Sequence, residues 1–244
     1  MAYVGCAGWS IPKAHKEKFP NSGSHLERYA QRFNAVEINS SFYRSHQQKT
    51  YTRWAESVPP TFRFSVKVPK EITHTLRLRN AQSAVSRFIE DASGLGTRLG
   101  IWLVQLPPSL HFEGEVASQF FDRFSAIASA VGGVVVCEPR HASWFTPQAD
   151  STLDTFNVSR AAADPACCNS AGTAGVSRST AYYRWHGSPH LYYSTYTSEQ
   201  IEWLSGELIG HVRRSRDAWC IFDNTASGSA TENGLQLLNR LHDS

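Results

Sequence analysis

Charged and titratable side chains stand at or beyond the ends of short apolar runs along this 244-residue chain. Carboxylates and imidazoles in such positions are groups that acid–base catalysis uses, and lysine and arginine side chains hold anions. The pattern therefore predicts a polar site that combines proton transfer with anion binding. The residues concerned are the acids Glu37, Glu138, Asp164 and Asp223, the bases Lys67, Arg140 and Arg184, and the histidines His74, His141 and His186.

Four of these side chains are candidates for proton transfer. Glu37 and Glu138 are the first candidates, because positioned carboxylates serve as general acids and bases. His74 and His186 are the alternatives, since imidazole titrates near neutral pH. An internal ion-pair network that only neutralises buried charge is the structural alternative for the same residues.

A second group of residues could bind an anion. Arg140 and Arg184 can form bidentate hydrogen bonds to phosphate or carboxylate, and Lys67 can act as a point charge. Residues 187–188 and 225–229 form small-residue loops after the last two apolar runs, where barrels often bind phosphate. The expected ligand-binding residues are Asn39, Tyr43, Lys67, Gln105, Arg140, Trp144, Asp164, Arg184, Gly187, Asn224 and Gly228.

A divalent metal is an alternative occupant of the same site. Glu37, Glu138, Asp164 and His186 carry oxygen and imidazole ligands that suit Mg²⁺, Mn²⁺ or Zn²⁺. No local metal-binding spacing supports this idea, and nearby arginines would compete as counter-ions. We therefore assign no metal ligands from the sequence, and no motif identifies a cofactor.

Eight short apolar runs, with helical patterns between most of them, must position these side chains. A strand followed by a helix, repeated eight times, describes an α/β protein with a (β/α)8 TIM-barrel fold, and residues 1–244 are expected to form a single domain. Its active site is expected at the carboxyl ends of the strands. The runs begin at Tyr3, Ala35, Phe62, Gly100, Val134, Val158, Tyr182 and Trp219.

The alternation of side chains along a strand predicts which residues face the barrel interior. Val36 and Ile38 should face the helices, so that Glu37 points inward. Arg184 could then pair with Asp164 on the neighbouring strand if it does not bind a ligand. One mouth of the barrel is expected to hold Glu37, Lys67, Gln105, Glu138, Asp164 and His186.

Aromatic residues accompany the same strand ends. Trp9, Tyr43 and Trp144 directly follow predicted strands and are expected to line the mouth. Aromatic rings beside arginine and histidine suit the stacking of a base or a sugar.

The bulk composition limits the class of protein. The net charge of +3 does not suggest the broad basic surface of a non-specific DNA binder. No apolar run is long enough to cross a membrane, and the chain enters a strand without a visible signal peptide. The five cysteines fit no disulfide or zinc pattern and are expected to be reduced thiols. We expect a cytoplasmic protein with no membrane partner.

Several of these motifs resemble the YecE-like family. They include residues 5–9, 36–43, 64–67 and 105–108, the Glu138-Pro139-Arg140-His141 stretch, and residues 184–187, in the expected order over nearly the whole chain. The resemblance implies a TIM barrel of unknown function. The chain departs from the family in residues 10–15, which lack a second aromatic residue, and in Asp223, where the family usually has asparagine.

The sequence favours an enzyme, a hydrolase or a lyase, that acts on a phosphate-bearing ligand such as a nucleotide or a nucleic-acid fragment. It does not decide that the protein is catalytic. A non-catalytic nucleic-acid binding module and a divalent-metal-dependent barrel enzyme on sugars or abasic DNA stay open as alternatives. Protein partners are not indicated.

Overall fold

Parallel strands alternate with helices in the computed structural model, which describes residues 1–176 and 179–242. Each strand pairs in parallel with its sheet neighbours. The strands are β1 (Ala2–Cys6), β2 (Ala35–Ile38), β3 (Arg63–Lys67), β4 (Leu99–Gln105), β5 (Val134–Glu138), β6 (Ser159–Arg160), β7 (Ala162–Asp164), β8 (Thr180–Trp185) and β9 (Asp217–Phe222).

Two sheets close into one barrel. Their orders are β1-β9-β8-β7 and β2-β3-β4-β5-β6. Only Ala161 separates β6 from β7, so these two segments together occupy the sixth of eight strand positions. On the opposite side Ala7 pairs with Glu37, and the Gly8 amide donates to the Glu37 carbonyl oxygen at 2.9 Å. The predicted (β/α)8 barrel is confirmed.

Helices follow most strand positions, as their apolar spacing predicts. Two helices begin with capping boxes, Ser24 with Glu27 and Thr197 with Gln200. No helix in the described ranges is long and apolar enough to cross a bilayer. The helices are α1 (His25–Tyr29), α2 (Gln48–Glu56), α3 (Gln82–Ala92), α4 (Gly114–Val131), α5 (Pro147–Thr155), α6 (Ser198–Arg213) and α7 (Ser229–His242), and the sixth connection holds a short 3-10 helix, Asn169–Gly172.

The barrel interior changes from apolar to charged along the strands. An apolar cluster occupies the region nearer the amino ends of the strands and includes Tyr3 stacked on Trp219 at 4.5 Å. Val36 and Ile38 pack in the other core, between the sheet and the helices. Glu37 therefore points inward, as the alternation predicts, and the charged residues lie nearer the carboxyl ends.

Candidate functional site

Arg184 lies at the centre of the charged part of the barrel and is 1% exposed. Its Nε and Nη2 donate to the two carboxylate oxygens of Glu37, both at 2.8 Å. Its Nη1 donates to Glu138 at 3.2 Å, and its Nη2 lies 2.9 Å from Asp223 Oδ2. Three carboxylates from three strand positions thus meet one guanidinium group.

His186 and Arg140 extend this arrangement toward the mouth. His186 Nδ1 lies 3.0 Å from Asp223 Oδ2, and its Nε2 lies 3.0 Å from Glu138 Oε1. Arg140 Nε lies 2.7 Å from the same Glu138 oxygen, and Arg140 Nη2 contacts His186 Nε2. We call the six residues Glu37, Glu138, Arg140, Arg184, His186 and Asp223 the ion-pair network.

The charges of this network keep its acids ionised. Burial favours the neutral form of Glu138, but Arg140, Arg184 and His186 together hold its pKa well below the usual range. Burial likewise opposes ionisation of Asp223, and its cationic neighbours, Arg184 foremost, lower its pKa. The network thus carries negative charges on these two carboxylates at neutral pH.

A tyrosine and a serine extend the hydrogen bonding of the network at Glu37. The Tyr182 hydroxyl donates to Glu37 Oε2 at 3.3 Å and lies 2.9 Å from the Ser65 hydroxyl. Burial and the neighbouring Glu37 carboxylate raise the pKa of Tyr182 well above its ordinary value. Tyr182 therefore stays protonated and helps to fix the Glu37 side chain.

Lys67 lies in the same mouth but outside the network. It ends β3, is 6% exposed, and its Nζ lies 4.2 Å from the centre of the Phe42 ring. Its ammonium group makes no hydrogen bond or ion pair with any residue in the ranges 1–176 and 179–242. Burial, followed by the charge of Arg184, lowers the pKa of Lys67 to about 8.

His74 shares the Phe42 ring with this lysine. Its imidazole packs edge-on against Phe42 at 4.9 Å, and its Nδ1 lies 2.8 Å from the Thr73 hydroxyl. Burial, followed by the charge of Lys67, lowers the pKa of His74, so that the ring is neutral at pH 7. We call Phe42, Lys67, Thr73 and His74 the lysine cluster.

The structure moves Asp164 out of the predicted mouth. Its carboxylate accepts a hydrogen bond from the Tyr196 hydroxyl at 3.1 Å and lines a groove beside Trp185 on the helix side of the sheet. The alternation explains this, because Ala163 pairs in register with Arg184 and takes the inward position. The suggested Asp164–Arg184 pair is therefore wrong, and burial raises the pKa of Asp164.

The aromatic residues expected at the mouth have different surroundings. Trp144 is 1% exposed, and its Nε1 donates to the Leu110 carbonyl oxygen at 2.9 Å, so it belongs to the core beneath the helices. Trp9 packs edge-on against Trp54 at 5.0 Å. Tyr43 is 76% exposed and presents a free ring surface. The expectation that Trp144 lines the mouth is wrong.

The predicted phosphate loops use several of their donors internally. The Gly187 amide donates to the Tyr196 hydroxyl at 2.8 Å. The Gly228 amide donates to the Thr225 carbonyl oxygen at 3.1 Å, and the Ala230 amide donates to that of Asn224 at 3.0 Å. These backbone groups are therefore not available to a ligand in this conformation.

Three polar residues complete the predicted set. Gln105 Nε2 donates to the Leu106 carbonyl oxygen at 2.7 Å. Asn224 Nδ2 donates to Ser194 and Asn233 at 2.9 and 3.0 Å. The side-chain oxygens of Asn39 and Asn224 are buried and accept no hydrogen bond from the described residues. These two oxygens are acceptors without a donor.

Two residues that contribute to the site were not predicted from the sequence. Phe42 follows a strand end but was assigned no role, although its ring contacts both Lys67 and His74. Tyr182 stands two residues before Arg184, so the same alternation would have placed its hydroxyl inside the barrel. Asp223 was recognised as an acid but not as a partner of Arg184.

A guanidinium group occupies the space between the buried carboxylates. In the described ranges, no group of three or more His, Cys, Asp or Glu side chains is arranged to hold a metal ion. Since Arg184 already contacts Glu37, Glu138 and Asp223, a divalent cation at that point would have to displace its positive charge.

The fold and the site define an α/β barrel with a charged interior at the carboxyl ends of its strands. Comparison with known families then places it: residues 3–244 match the family described as "Protein of unknown function DUF72", and the chain belongs to that family. The YecE-like resemblance is thereby confirmed.

Two curated relatives show the extent of this similarity. The UPF0759 protein YecE of Escherichia coli K12 is 36% identical over 107 residues, which cover 44% of this chain and only 38% of YecE. The UPF0759 protein YunF of Bacillus subtilis is 23% identical over 272 aligned positions, covering 99% of this chain and 95% of YunF.

Solved structures share the fold. A DUF72 family protein from Enterococcus faecalis superposes with a TM-score of 0.83 at 21% identity, covering 100% of this chain and 96% of that one. One from Thermotoga maritima gives 0.82 at 22% identity, covering 99% of both chains. A sugar phosphate isomerase/epimerase from Parabacteroides distasonis gives 0.57 at 10% identity, covering 98% and 93%, and this likeness concerns the fold alone.

Proposed function

We propose that this protein is an enzyme, a hydrolase or a lyase, that performs acid–base chemistry on a phosphate-bearing ligand at the carboxyl-end mouth of the barrel. The observation that carries the proposal is the state of Lys67, a nearly buried ammonium group that makes no direct ion pair with the described residues. A phosphate group would supply a direct ion-pair partner for this ammonium group. With a pKa of about 8, the same amine can also exchange a proton near neutral pH.

The roles of the candidate residues differ in this proposal. Glu37, Glu138 and His186 have their polar atoms engaged in the ion-pair network, so we assign them the task of setting the local charge. His74 is the candidate general base beside Lys67, because its lowered pKa leaves the imidazole neutral at pH 7. Arg140, whose side chain is 17% exposed, is the second candidate for phosphate binding.

A non-catalytic nucleic-acid binding module is the second candidate function. The observation that favours it is a set of exposed tyrosines after the ends of β2 and β8: Tyr43 is 76% exposed, Tyr193 64% and Tyr192 46%. Such rings can stack on unpaired bases. The modest net charge of +3 argues against a large electrostatic contribution to such binding.

The test compares ligand-induced stabilisation in three proteins: the wild type, Lys67→Met and Lys70→Met. Lys70 is exposed and stands three residues further along the chain, so it is a matched control. The ligands are inorganic phosphate, dihydroxyacetone phosphate, adenosine monophosphate and a single-stranded oligonucleotide. Saturation at a hundred times Kd should stabilise the folded state by about 2.7 kcal/mol.

We expect a phosphate compound to raise the unfolding midpoint of the wild type and of Lys70→Met but not of Lys67→Met. Equal stabilisation of Lys67→Met would contradict the assigned role of Lys67. Stabilisation by the oligonucleotide alone would favour the binding module.

A further inference from the structure

Lys67 differs from the other buried cations of the mouth in its surroundings. Arg184 contacts three carboxylates, and Arg140 contacts Glu138 and His186. Within the part of the chain that the structure describes, Lys67 has only the Phe42 ring as a close partner for its charge, at 4.2 Å. Carboxylates are present in the same mouth, so the absence of a direct pair is specific to this side chain.

This environment favours the neutral amine. Burial removes water from the ammonium group, and the positive charge of Arg184 acts in the same direction. With a pKa of about 8, Lys67 has roughly two orders of magnitude more neutral amine at pH 7 than an ordinary lysine. A neutral lysine amine is a nucleophile toward carbonyl groups, and desolvation beside another cation is a recognised way to activate it.

We propose that Lys67 is a nucleophile that forms an imine with the carbonyl group of a phosphorylated aldehyde or ketone. This inference rests on the proposed function, because it names the substrate class of the same site. It also accounts for the placement of Lys67 inside the barrel, at the end of β3, rather than on the exposed surface where Lys70 lies.

The chemical step needs no oxidant or reductant. The Nζ lone pair attacks the carbonyl carbon, a C–N bond forms, and the carbonyl π electrons move to oxygen. A proton passes from nitrogen to that oxygen and gives a carbinolamine. Its hydroxyl group takes a second proton and leaves as water, while the nitrogen lone pair forms the C=N bond of a protonated imine.

The charges around Lys67 suit the product of this step. Leaving His186 aside, Glu37, Glu138 and Asp223 carry three carboxylates against the two guanidinium groups of the network. The three carboxylates attract a positive charge at the Lys67 nitrogen. A protonated imine carries such a charge on the same nitrogen.

We assign the proton transfers of this step to His74, the titratable group of the lysine cluster besides Lys67. It packs on the same Phe42 ring as Lys67, and its pKa is lowered by burial and then by the charge of Lys67. A neutral imidazole can accept the proton that the Lys67 ammonium group loses before the attack and return it to the hydroxyl group that leaves as water. Thr73 fixes the ring through Nδ1 at 2.8 Å.

The experiment traps the imine with borohydride. Wild-type protein is incubated at pH 7 with dihydroxyacetone phosphate, dihydroxyacetone or glyceraldehyde 3-phosphate, reduced, digested and analysed by mass spectrometry. Reduction of an imine adds the mass of the ligand less one oxygen atom. We expect this label on the peptide that contains Lys67 at ligand concentrations that leave Lys70 unlabelled, and we expect phosphorylated ligands to label it more than dihydroxyacetone.

Site mapping in the wild type makes the test independent of any variant that fails to fold. A folded Lys67→Arg protein should lose the label and still be stabilised by inorganic phosphate. Label confined to exposed lysines, or no label with any of the three carbonyl compounds, would overturn the inference. If Lys67 of the wild type is labelled but inorganic phosphate does not stabilise the wild-type protein, the phosphate-binding proposal is overturned and the proposed imine stands.

Discussion

Two charged regions share one barrel mouth, and they differ in how their charges are balanced. In the ion-pair network, Arg184 and Arg140 each contact buried carboxylates between 2.7 and 3.2 Å. In the lysine cluster, the Lys67 ammonium group rests on an aromatic ring. The network therefore holds its side chains in direct ion pairs, whereas the cluster leaves one amine without a direct ion-pair partner among the described residues.

The energetic consequences of the two regions are opposite. Removal of one partner from a buried ion pair leaves an uncompensated charge and strongly destabilises the fold. Removal of a buried cation that lacks a counter-ion relieves desolvation instead. Removal of Arg184 should therefore lower the free energy of unfolding, whereas the buried charge of Lys67 itself lowers it.

Arg184→Ala should produce the largest effect. It leaves Glu37, Glu138 and Asp223 buried without their shared cation, so the free energy of unfolding should fall by about 3–5 kcal/mol. Urea denaturation followed by circular dichroism measures this. Arg87→Ala is the control, because that side chain is 63% exposed and should change stability by less than about 0.5 kcal/mol. A decrease in the free energy of unfolding below about 1 kcal/mol for Arg184→Ala would contradict the proposed contrast between the ion-pair network and the lysine cluster.

Lys67→Met should change the pH dependence of stability. Between pH 8 and 10.5 the wild-type folded state releases a proton that the unfolded state retains, so its unfolding free energy rises with pH. The Lys67 contribution amounts to roughly 3 kcal/mol across this window, and it is absent in Lys67→Met. The measurement is the difference between urea unfolding free energies of the two proteins at pH 7, 8, 9 and 10. A difference that does not vary with pH would contradict the expected titration.

Gly187→Ala should have an intermediate effect and tests the loop that follows His186. Gly187 has φ of +93°, and an added Cβ would lie 3.0 Å from the Ser194 carbonyl oxygen. We expect a loss of about 1–3 kcal/mol in unfolding free energy. Gly206→Ala is the control, because a Cβ at that position in α6 meets no atom within 4 Å. Equal free energies of unfolding for the two variants would show that the loop accommodates the added methyl group without strain.

Tyr43→Ala should leave stability within about 0.5 kcal/mol of the wild type, because the side chain is 76% exposed. If exposed tyrosines bind bases, the same variant should weaken oligonucleotide binding in a fluorescence-anisotropy titration. If the ligand is a small phosphorylated carbonyl compound held by Lys67, its binding should be unchanged. A large loss of stability would show that Tyr43 supports the lysine cluster through Phe42, whose ring lies 5.0 Å away.

The alternation of side chains predicted much of the site correctly. It identified Glu37 as inward-pointing because Val36 and Ile38 are apolar, and the described contacts of Glu37 with Arg184 agree with this. The mouth position expected for Asp164 is wrong, because Ala163 pairs in register with Arg184 and takes the inward position, so that Asp164 faces α6.

The partners of Arg184 could not be read from the chain. Glu37 and Asp223 are separated from Arg184 by 147 and 39 positions, and local patterns carry no information about such contacts. The same limit applies to Trp144, whose position after a strand end did not distinguish a mouth residue from one buried beneath the helices. Motif order, by contrast, identified the family.

The sequence by itself determined the barrel, the inward position of Glu37 and most of the charged set, because strand and helix periods are local properties of the chain. Only the tertiary structure decided which charges neutralise one another. Pairing depends on distances between strands far apart in the chain, and burial sets the strength of each interaction. Arg184 is held in ion pairs because three carboxylates converge on it, and Lys67 has no ion pair with the described residues because its side chain lies against Phe42 instead.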